Sequence, residues 1–190
     1  MRIPGIERGR HGISRANRSR DYDYKKRFYQ DEGVAGDYDR HRFGNEERRS
    51  RNARKWKMIE SALAYVDGDR TVLDLPCGTG RFTAHLARAG YDVVGTDISH
   101  EMMRVAVERL PPSPRLRGFL RADAERLPLR DGSVECVMSI RFLLHLDRAT
   151  RIAVIGEMAR VSRRWLILDY RHKHSYRYLT MLVRHALGVP

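Results

Sequence analysis

The chain contains three short segments in which acids or glycines follow an apolar run, an arrangement that suits a polar ligand. In the first segment, Asp74 precedes a turn that contains Gly78 and Gly80, and a helical pattern follows. Glycines let a ligand approach the backbone closely, and the N-terminus of the helix offers free N–H groups to an anion. An acid directly before the glycines suits a cationic group, such as an amine or a sulfonium, better than a pyrophosphate.

This glycine turn departs from the two common phosphate-binding motifs. Counted from Gly78, the third glycine of a GxGxxG fingerprint is replaced by Thr83. No GK[ST] run follows the turn, so a P-loop is excluded. The turn therefore favours a ligand with an amino-acid-like cationic end over a dinucleotide.

Two further acids follow later apolar runs. Asp97 comes after the second run, where a carboxylate is able to accept hydrogen bonds from both hydroxyls of a ribose. Met102 lies on the helix that Ser99 is expected to begin, and its side chain suits an adenine face. Asp123 follows a third, weaker run and is a candidate acceptor for an adenine amino group. Together the three acids describe a nucleoside with a positively charged amino-acid tail.

Five predicted strands, interleaved with helical segments, position these residues. The apolar stripe of residues 46–66 predicts a first helix, and the strands are expected at 71–75, 91–95, 118–121, 134–140 and 165–170. A last amphipathic helix is expected at 175–187. This alternation predicts an α/β fold with a Rossmann-like, doubly wound, mostly parallel sheet. Such sheets bind ligands at the carboxyl ends of their strands, where the three acids lie.

The segments VLDLPCGTGRF, VVGTDIS and RADAERLPLRDGSVECVMS resemble the class I S-adenosylmethionine-dependent methyltransferases, especially the methyltransferase domain 11/25 type, over roughly residues 58–187. The resemblance implies that the cofactor is S-adenosyl-L-methionine. By the same resemblance, Asp74, Gly78 and Gly80 hold its methionine part, Asp97 its ribose, and Asp123 with Ala124 its adenine. The other candidate cofactor-binding residues are Pro76, Ile98, Met102 and Ser139.

The N-terminal part of the chain also has features of this family. Residues 38–43 resemble the segment that closes over the cofactor in related enzymes, so Tyr38 and Arg42 are candidate cofactor contacts. We expect a basic disordered arm at 1–20, a helical cap segment at 21–57 and the methyltransferase domain at 58–190.

The C-terminal end of the chain departs from the family pattern. The family usually adds an antiparallel strand hairpin after the last helix, and this sequence ends at Pro190 without one. An uncovered edge on the fifth strand is a pairing liability. We therefore expect either a truncated chain or a partner or second copy that covers this edge.

The acceptor side of the predicted site is less specific. His145 is a candidate general base, although a lone histidine more often makes a structural hydrogen bond. Arg141 is a candidate contact for an anionic substrate, and a surface ion pair is the favoured interpretation. The family's Asn/Asp-Pro-Pro-Tyr/Phe run is absent after the fourth strand, which argues against methylation of adenine N6 or of glutamine.

Composition limits the remaining functions. The chain has 37 Lys and Arg against 24 Asp and Glu, a net charge of +13, which suits contact with polyanions but is spread over several elements. Its two cysteines provide neither a disulfide framework nor a zinc motif, so we expect no metal. No run resembles a membrane span or a signal peptide, so a cytoplasmic location is expected.

Three hypotheses follow from the sequence. The leading one is a methyltransferase that acts on an O, N or C atom of a small-molecule or lipid-like acceptor. The second is an RNA methyltransferase that uses the basic N-terminal arm, since residues 22–29 interleave aromatic and basic side chains. The third is a truncated domain that binds a cofactor or a partner without turnover.

Overall fold

The computed structural model describes residues 26, 28–30, 35, 38 and 45–170. Arg42 and the helix predicted at 175–187 lie outside these residues. Residues 26, 28, 29, 35 and 38 are helical. The regular elements, in chain order, are α1 Glu46–Leu63, β1 Thr71–Asp74, α2 Arg81–Arg88, β2 Asp92–Asp97, α3 His100–Arg109, β3 Leu116–Arg121, β4 Val134–Ser139, a 3-10 turn Leu143–His145, α4 Arg148–Val161 and β5 Ser162–Leu168.

The five strands form one parallel sheet in the order β3-β2-β1-β4-β5. The chain moves outward from β1 to β3 and then returns to place β4 on the other side of β1. The loops after β1 and β4 therefore diverge at the point where the strand order reverses, which is where open α/β sheets bind ligands. The predicted fold class is confirmed.

The two faces of the sheet have separate apolar cores. Val72 and Cys136 pack with α1 and α2, whereas the next residues in each strand, Leu73 and Val137, pack with α4. Successive side chains of a strand point to opposite faces, so a central strand that is covered on both sides must be apolar throughout. This requirement explains why β1 and β4 are mostly apolar rather than alternating. The exception in β4 is the buried Glu135, which Arg163 approaches at 3.4 Å.

Local signals fix where the helices begin. The Ser99 hydroxyl accepts the Met102 N–H at 3.1 Å, and the Asp147 carboxylate accepts the Thr150 N–H at 3.0 Å, so both residues act as N-caps. Helix α1 begins after Asn45 and continues across residue 57, where the sequence places the boundary between cap and domain. No helix within the described residues is long and apolar enough to span a bilayer.

Helix α2 begins in a different way, at a glycine. Gly80 has a φ of 75° and provides no side-chain cap. A β-carbon added at this position would lie 2.8 Å from Leu110 Cδ1 and 2.9 Å from Ala106 Cβ. Both the left-handed backbone and the close approach of α2 to the end of α3 therefore require glycine here.

Candidate functional site

A cavity of about 650 Å³ lies at the carboxyl ends of the strands. All five strands contribute to its lining through residues at or just after their carboxyl ends: Leu75 and Gly78, Asp97 and Ile98, Ala122 and Ala124, Ile140 and Arg141, and Asp169. The volume is typical of a site for small molecules. The edge of the sheet that the sequence indicated is thus the edge that carries a cavity.

Asp97 connects the first two loops of this cavity. Its Oδ2 accepts the Gly78 N–H at 2.8 Å, and its Oδ1 accepts the Ser99 N–H at 2.9 Å. Burial raises the pKa of Asp97, while the backbone N–H groups of Ser99 and Gly78 counteract that effect. Each carboxylate oxygen has a second lone pair, so a residue that lines the cavity and is only 6% exposed still has acceptor capacity for a ligand hydroxyl.

The two glycines of the turn have different surroundings. Gly78 lines the cavity with a φ of 55°, and a β-carbon added there would meet no atom within 4 Å. The space beside Gly78 therefore belongs to the cavity, and its backbone is accessible to a ligand. Gly80 does not line the cavity, because its neighbours are the side chains of α3.

Asp74 lies behind the turn and does not line the cavity. Its side chain is 2% exposed, and its Oδ2 accepts a hydrogen bond from the Thr83 hydroxyl at 2.7 Å. Burial raises the pKa of Asp74 to about 7, although the bond from Thr83 opposes this rise. The contact of Asp74 with the methionine part of the cofactor remains a prediction, and its observed contact holds the first turn of α2.

Asp123 pairs with a residue from the N-terminal part of the chain. Lys26 Nζ donates to Asp123 Oδ2 at 2.6 Å and to Glu125 Oε2 at 2.7 Å. Burial lowers the pKa of Lys26, but the two carboxylates outweigh this effect and raise it. Lys26 lines the cavity together with Ala122 and Ala124, whereas Asp123 does not.

Other N-terminal residues pack on α3 beside the cavity. The Ser99 hydroxyl donates to the Tyr29 carbonyl at 2.6 Å, and the Tyr29 and Tyr38 rings meet edge to face at 6.0 Å. Ala35 is fully buried against Met102 and Val105. The N-terminal residues that the structure describes therefore close one side of the cavity, and Tyr38 is among its lining residues.

The predicted site residues thus fall into two groups. Those that line the cavity are Tyr38, Pro76, Gly78, Asp97, Ile98, Met102, Ala124, Arg141 and His145. Those that do not are Asp74, Gly80, Asp123 and Ser139. The Ser139 hydroxyl is buried and has no hydrogen-bond partner among the described residues.

Most of the charged lining was not predicted from the sequence. The missed residues are Lys26, Arg48, Arg51, Lys55, Arg81 and Asp169. The three on α1 recur at spacings of three and four residues, which places them on one face of the helix. That spacing is a signal in the sequence, but it resembles the solvated face of any charged helix. Within the described residues, no group of three or more His, Cys, Asp or Glu side chains could hold a metal ion.

Comparisons with known proteins show which family part of the chain resembles. Residues 72–164 match the family model described as a methyltransferase domain, and this range includes the glycine turn, Asp97 and the loop after β3. Residues 72–164 are thus similar to the methyltransferase domains of enzymes that use S-adenosylmethionine.

Three similar proteins illustrate the relationship. The chain is 40% identical over 111 residues to a demethylmenaquinone methyltransferase of Beutenbergia cavernae, covering 58% of this chain and 43% of that protein. It is 36% identical over 121 residues to the O-methyltransferase cnsE of Penicillium expansum, covering 60% of this chain and 43% of that protein. Magnesium protoporphyrin IX methyltransferase from Synechocystis, solved with bound SAH, shares the fold at a TM-score of 0.68 and 23% identity, covering 90% of this chain and 80% of that one. The chain spans less than half the length of the two curated relatives.

Proposed function

We propose that this chain binds S-adenosylmethionine and catalyses methyl transfer to a small-molecule acceptor. The observation that carries the proposal is the cavity at the strand ends, where the Gly78 backbone and the Asp97 carboxylate meet. The match of residues 72–164 to the methyltransferase domain supports it. When bound, S-adenosylmethionine supplies a methyl group activated by a sulfonium sulfur.

The residues of the cavity suit the parts of that cofactor. Asp97 has lone pairs for the ribose hydroxyls, and Met102 with Ala124 provides apolar surface for an adenine. The open space beside Gly78 allows close approach of the methionine part to the backbone. The contribution of the protein is to hold the two reactants in line and to exclude water, and positioning of this kind lowers barriers by up to ~7–11 kcal/mol.

The acceptor is expected beside the loop after β4. Arg141 and His145 line the cavity there, on either side of the 3-10 turn's first residue, Leu143. Arg151 of α4 donates to the Leu143 carbonyl at 3.1 Å and holds that turn in place. The names of the two curated relatives indicate a quinone precursor in one case and methylation at oxygen in the other. We therefore propose an acceptor atom among O, N and C, and a small or lipid-like molecule that carries it.

A pair of glycine substitutions tests cofactor binding. Gly78→Ala places a methyl group in the open space of the cavity. Gly90→Ala is the control: this glycine also has a positive φ and open space around an added β-carbon, but it does not line the cavity. Both substitutions carry a similar backbone strain of about 1–2 kcal/mol. We expect Gly78→Ala to weaken S-adenosylmethionine binding by about tenfold, or ~1.4 kcal/mol, in titration calorimetry, and Gly90→Ala to leave it unchanged.

Two results would contradict the proposal. One is a folded wild-type chain that does not bind S-adenosylmethionine, and the other is equal weakening by both glycine variants. Binding without transfer of a labelled methyl group to any small-molecule extract would replace the catalytic proposal with that of a cofactor-binding domain. Thermal melts of both variants check that the comparison is between folded proteins.

A further inference from the structure

The charge of the cavity lining does not match the charge of the cofactor alone. Six cationic side chains among the described residues line it: Lys26, Arg48, Arg51, Lys55, Arg81 and Arg141. Among the same residues, the carboxylates that line it are Asp97 and Asp169. S-adenosylmethionine itself is cationic, because its sulfonium and ammonium groups outnumber its carboxylate. A predominantly basic cavity disfavours a cationic ligand unless a second ligand brings negative charge.

Helix α1 supplies half of these cations from one face. Arg48, Arg51 and Lys55 line the cavity, whereas Arg49 and Arg54 on the same helix do not. Arg51 and Lys55 are partly buried, and Arg48 is exposed. The Asn45 side chain caps the helix by accepting the Arg48 N–H at 2.9 Å. One basic face of α1 therefore lies along the cavity, with Arg51 and Lys55 partly buried there.

Some of the lining cations have acidic partners. Lys26 pairs with Asp123 and Glu125, and Lys55 lies 3.1 Å from Asp169. These two lysines therefore contribute little to the net charge that a ligand experiences.

Arg51 differs from the two lysines. Its Nη2 lies 3.1 Å from Glu47, whose side chain is 73% exposed, so water and salt screen this pair. Its Nε is buried and has no hydrogen-bond acceptor among the described residues. A buried N–H without an acceptor is unfavourable, and a ligand oxygen that reaches it after a small shift of the side chain would remove this penalty.

We propose that the methyl acceptor is an anionic small molecule, with a carboxylate or phosphoryl group that Arg48 and Arg51 of α1 bind. This inference rests on the proposed methyltransferase function and adds a substrate class to it. Guanidinium groups bind carboxylates and phosphates in a bidentate manner, so adjacent arginines on one helix face suit such a group. The cavity volume of about 650 Å³ favours a small anion over a polymer. An anionic acceptor also compensates both the basic lining and the sulfonium charge.

The test uses the full chain saturated with S-adenosylhomocysteine. It is titrated by calorimetry with inorganic pyrophosphate and with citrate, which represent the phosphoryl and carboxylate classes, and potassium chloride keeps the ionic strength constant. We expect saturable binding of at least one of these anions. Arg51→Gln is expected to weaken it at least fivefold. Arg54→Gln, which removes an exposed cation from the same helix, is expected to leave it unchanged.

Other outcomes would overturn the inference. If S-adenosylhomocysteine binds and neither anion does, the anionic acceptor is wrong and the methyltransferase proposal stands. Equal weakening by Arg51→Gln and Arg54→Gln would show a diffuse charge effect and no site. Competition between pyrophosphate and S-adenosylhomocysteine would assign the arginines to the cofactor's carboxylate. Displacement of the bound anion by a short single-stranded RNA would assign them to a nucleic acid. Failure of S-adenosylhomocysteine to bind contradicts both proposals.

Discussion

Two acids that end neighbouring strands have different environments in the folded chain. Asp97 accepts two backbone N–H groups and lines the cavity, whereas Asp74 accepts the Thr83 hydroxyl behind the glycine turn. Both acids follow apolar runs in the sequence, so the pattern alone predicts a ligand contact for each. The direction of a side chain at the end of a strand depends on packing by the next helix, and the pattern does not encode this.

The pKa of Asp74 leads to a prediction about stability. Burial raises this pKa from 3.8 to about 7. Between pH 3.8 and about 7, Asp74 is therefore protonated in the folded state and ionised in the unfolded chain. The stability that the protonated group contributes is therefore present below pH 3.8 and is lost as the pH rises to about 7. Asp74→Asn removes this dependence. The measured quantity is the free energy of unfolding of the variant minus that of wild type, from urea titrations. We expect this difference to rise by at least about 1 kcal/mol from pH 4.5 to pH 8.

Asp92→Asn is the matched control for this measurement. Asp92 lies at the opposite end of β2, where Arg117 and Arg115 lower its pKa, so its contribution to stability is present at high pH and is lost on acidification. The free energy of unfolding of Asp92→Asn, relative to wild type, should therefore not rise between pH 4.5 and pH 8. Parallel pH profiles for wild type and Asp74→Asn would refute the burial argument.

At the level of elements, helix α4 holds the long connection between β3 and β4. Arg160 donates to the carbonyls of Leu127 and Leu129 at 3.0 and 2.8 Å, and Glu157 accepts the Leu127 N–H at 2.8 Å. This connection contains Ala124, which lines the cavity. The alternation of strands and helical segments predicts a helix before β5, but in the sequence Glu157 and Arg160 look like two solvated surface charges. Its partners are backbone groups about thirty residues earlier, which no local pattern reveals.

Replacement of Glu157 should therefore cost more than a surface charge does. The Arg160 side chain lowers the pKa of Glu157 to about 2, so the stabilisation is present above the ordinary value of 4.5 and is lost as the pH falls toward 2. We expect Glu157→Gln to lower the free energy of unfolding by about 1–3 kcal/mol at pH 7 in urea titrations. Glu108→Gln, which breaks an exposed pair with Arg104 on α3, should change it by less than about 0.5 kcal/mol. Equal decreases in the free energy of unfolding of the two variants would show that the contacts with the connection between β3 and β4 do not stabilise the fold.

In the whole molecule, the site forms where distant parts of the sequence meet. Alternating strands and helices require right-handed crossovers, and this constraint made the parallel sheet and its ligand edge predictable. The N-terminal side of the cavity was less predictable, because the contact of Lys26 with Asp123 spans 97 positions and has no local signature. The basic face of α1 is visible as a spacing in the sequence, but only packing shows that it lines a cavity. A partner on the edge of β5, which pairs with β4 alone among the described strands, stays a prediction.

The contacts of Lys26 lead to a prediction about ligand release. Its side chain is 16% exposed and neutralises Asp123 and Glu125 across one side of the cavity. Lys26→Gln leaves the two carboxylates repelling each other without a counter-charge, which weakens the closure of the cavity. We expect S-adenosylmethionine to dissociate at least about fivefold faster, equivalent to ~1 kcal/mol, in a rapid-dilution assay with labelled cofactor. Arg104→Gln, on the exposed face of α3, should not change the rate. A lower free energy of unfolding with an unchanged dissociation rate would show that the ion pair stabilises the fold and does not retain the ligand.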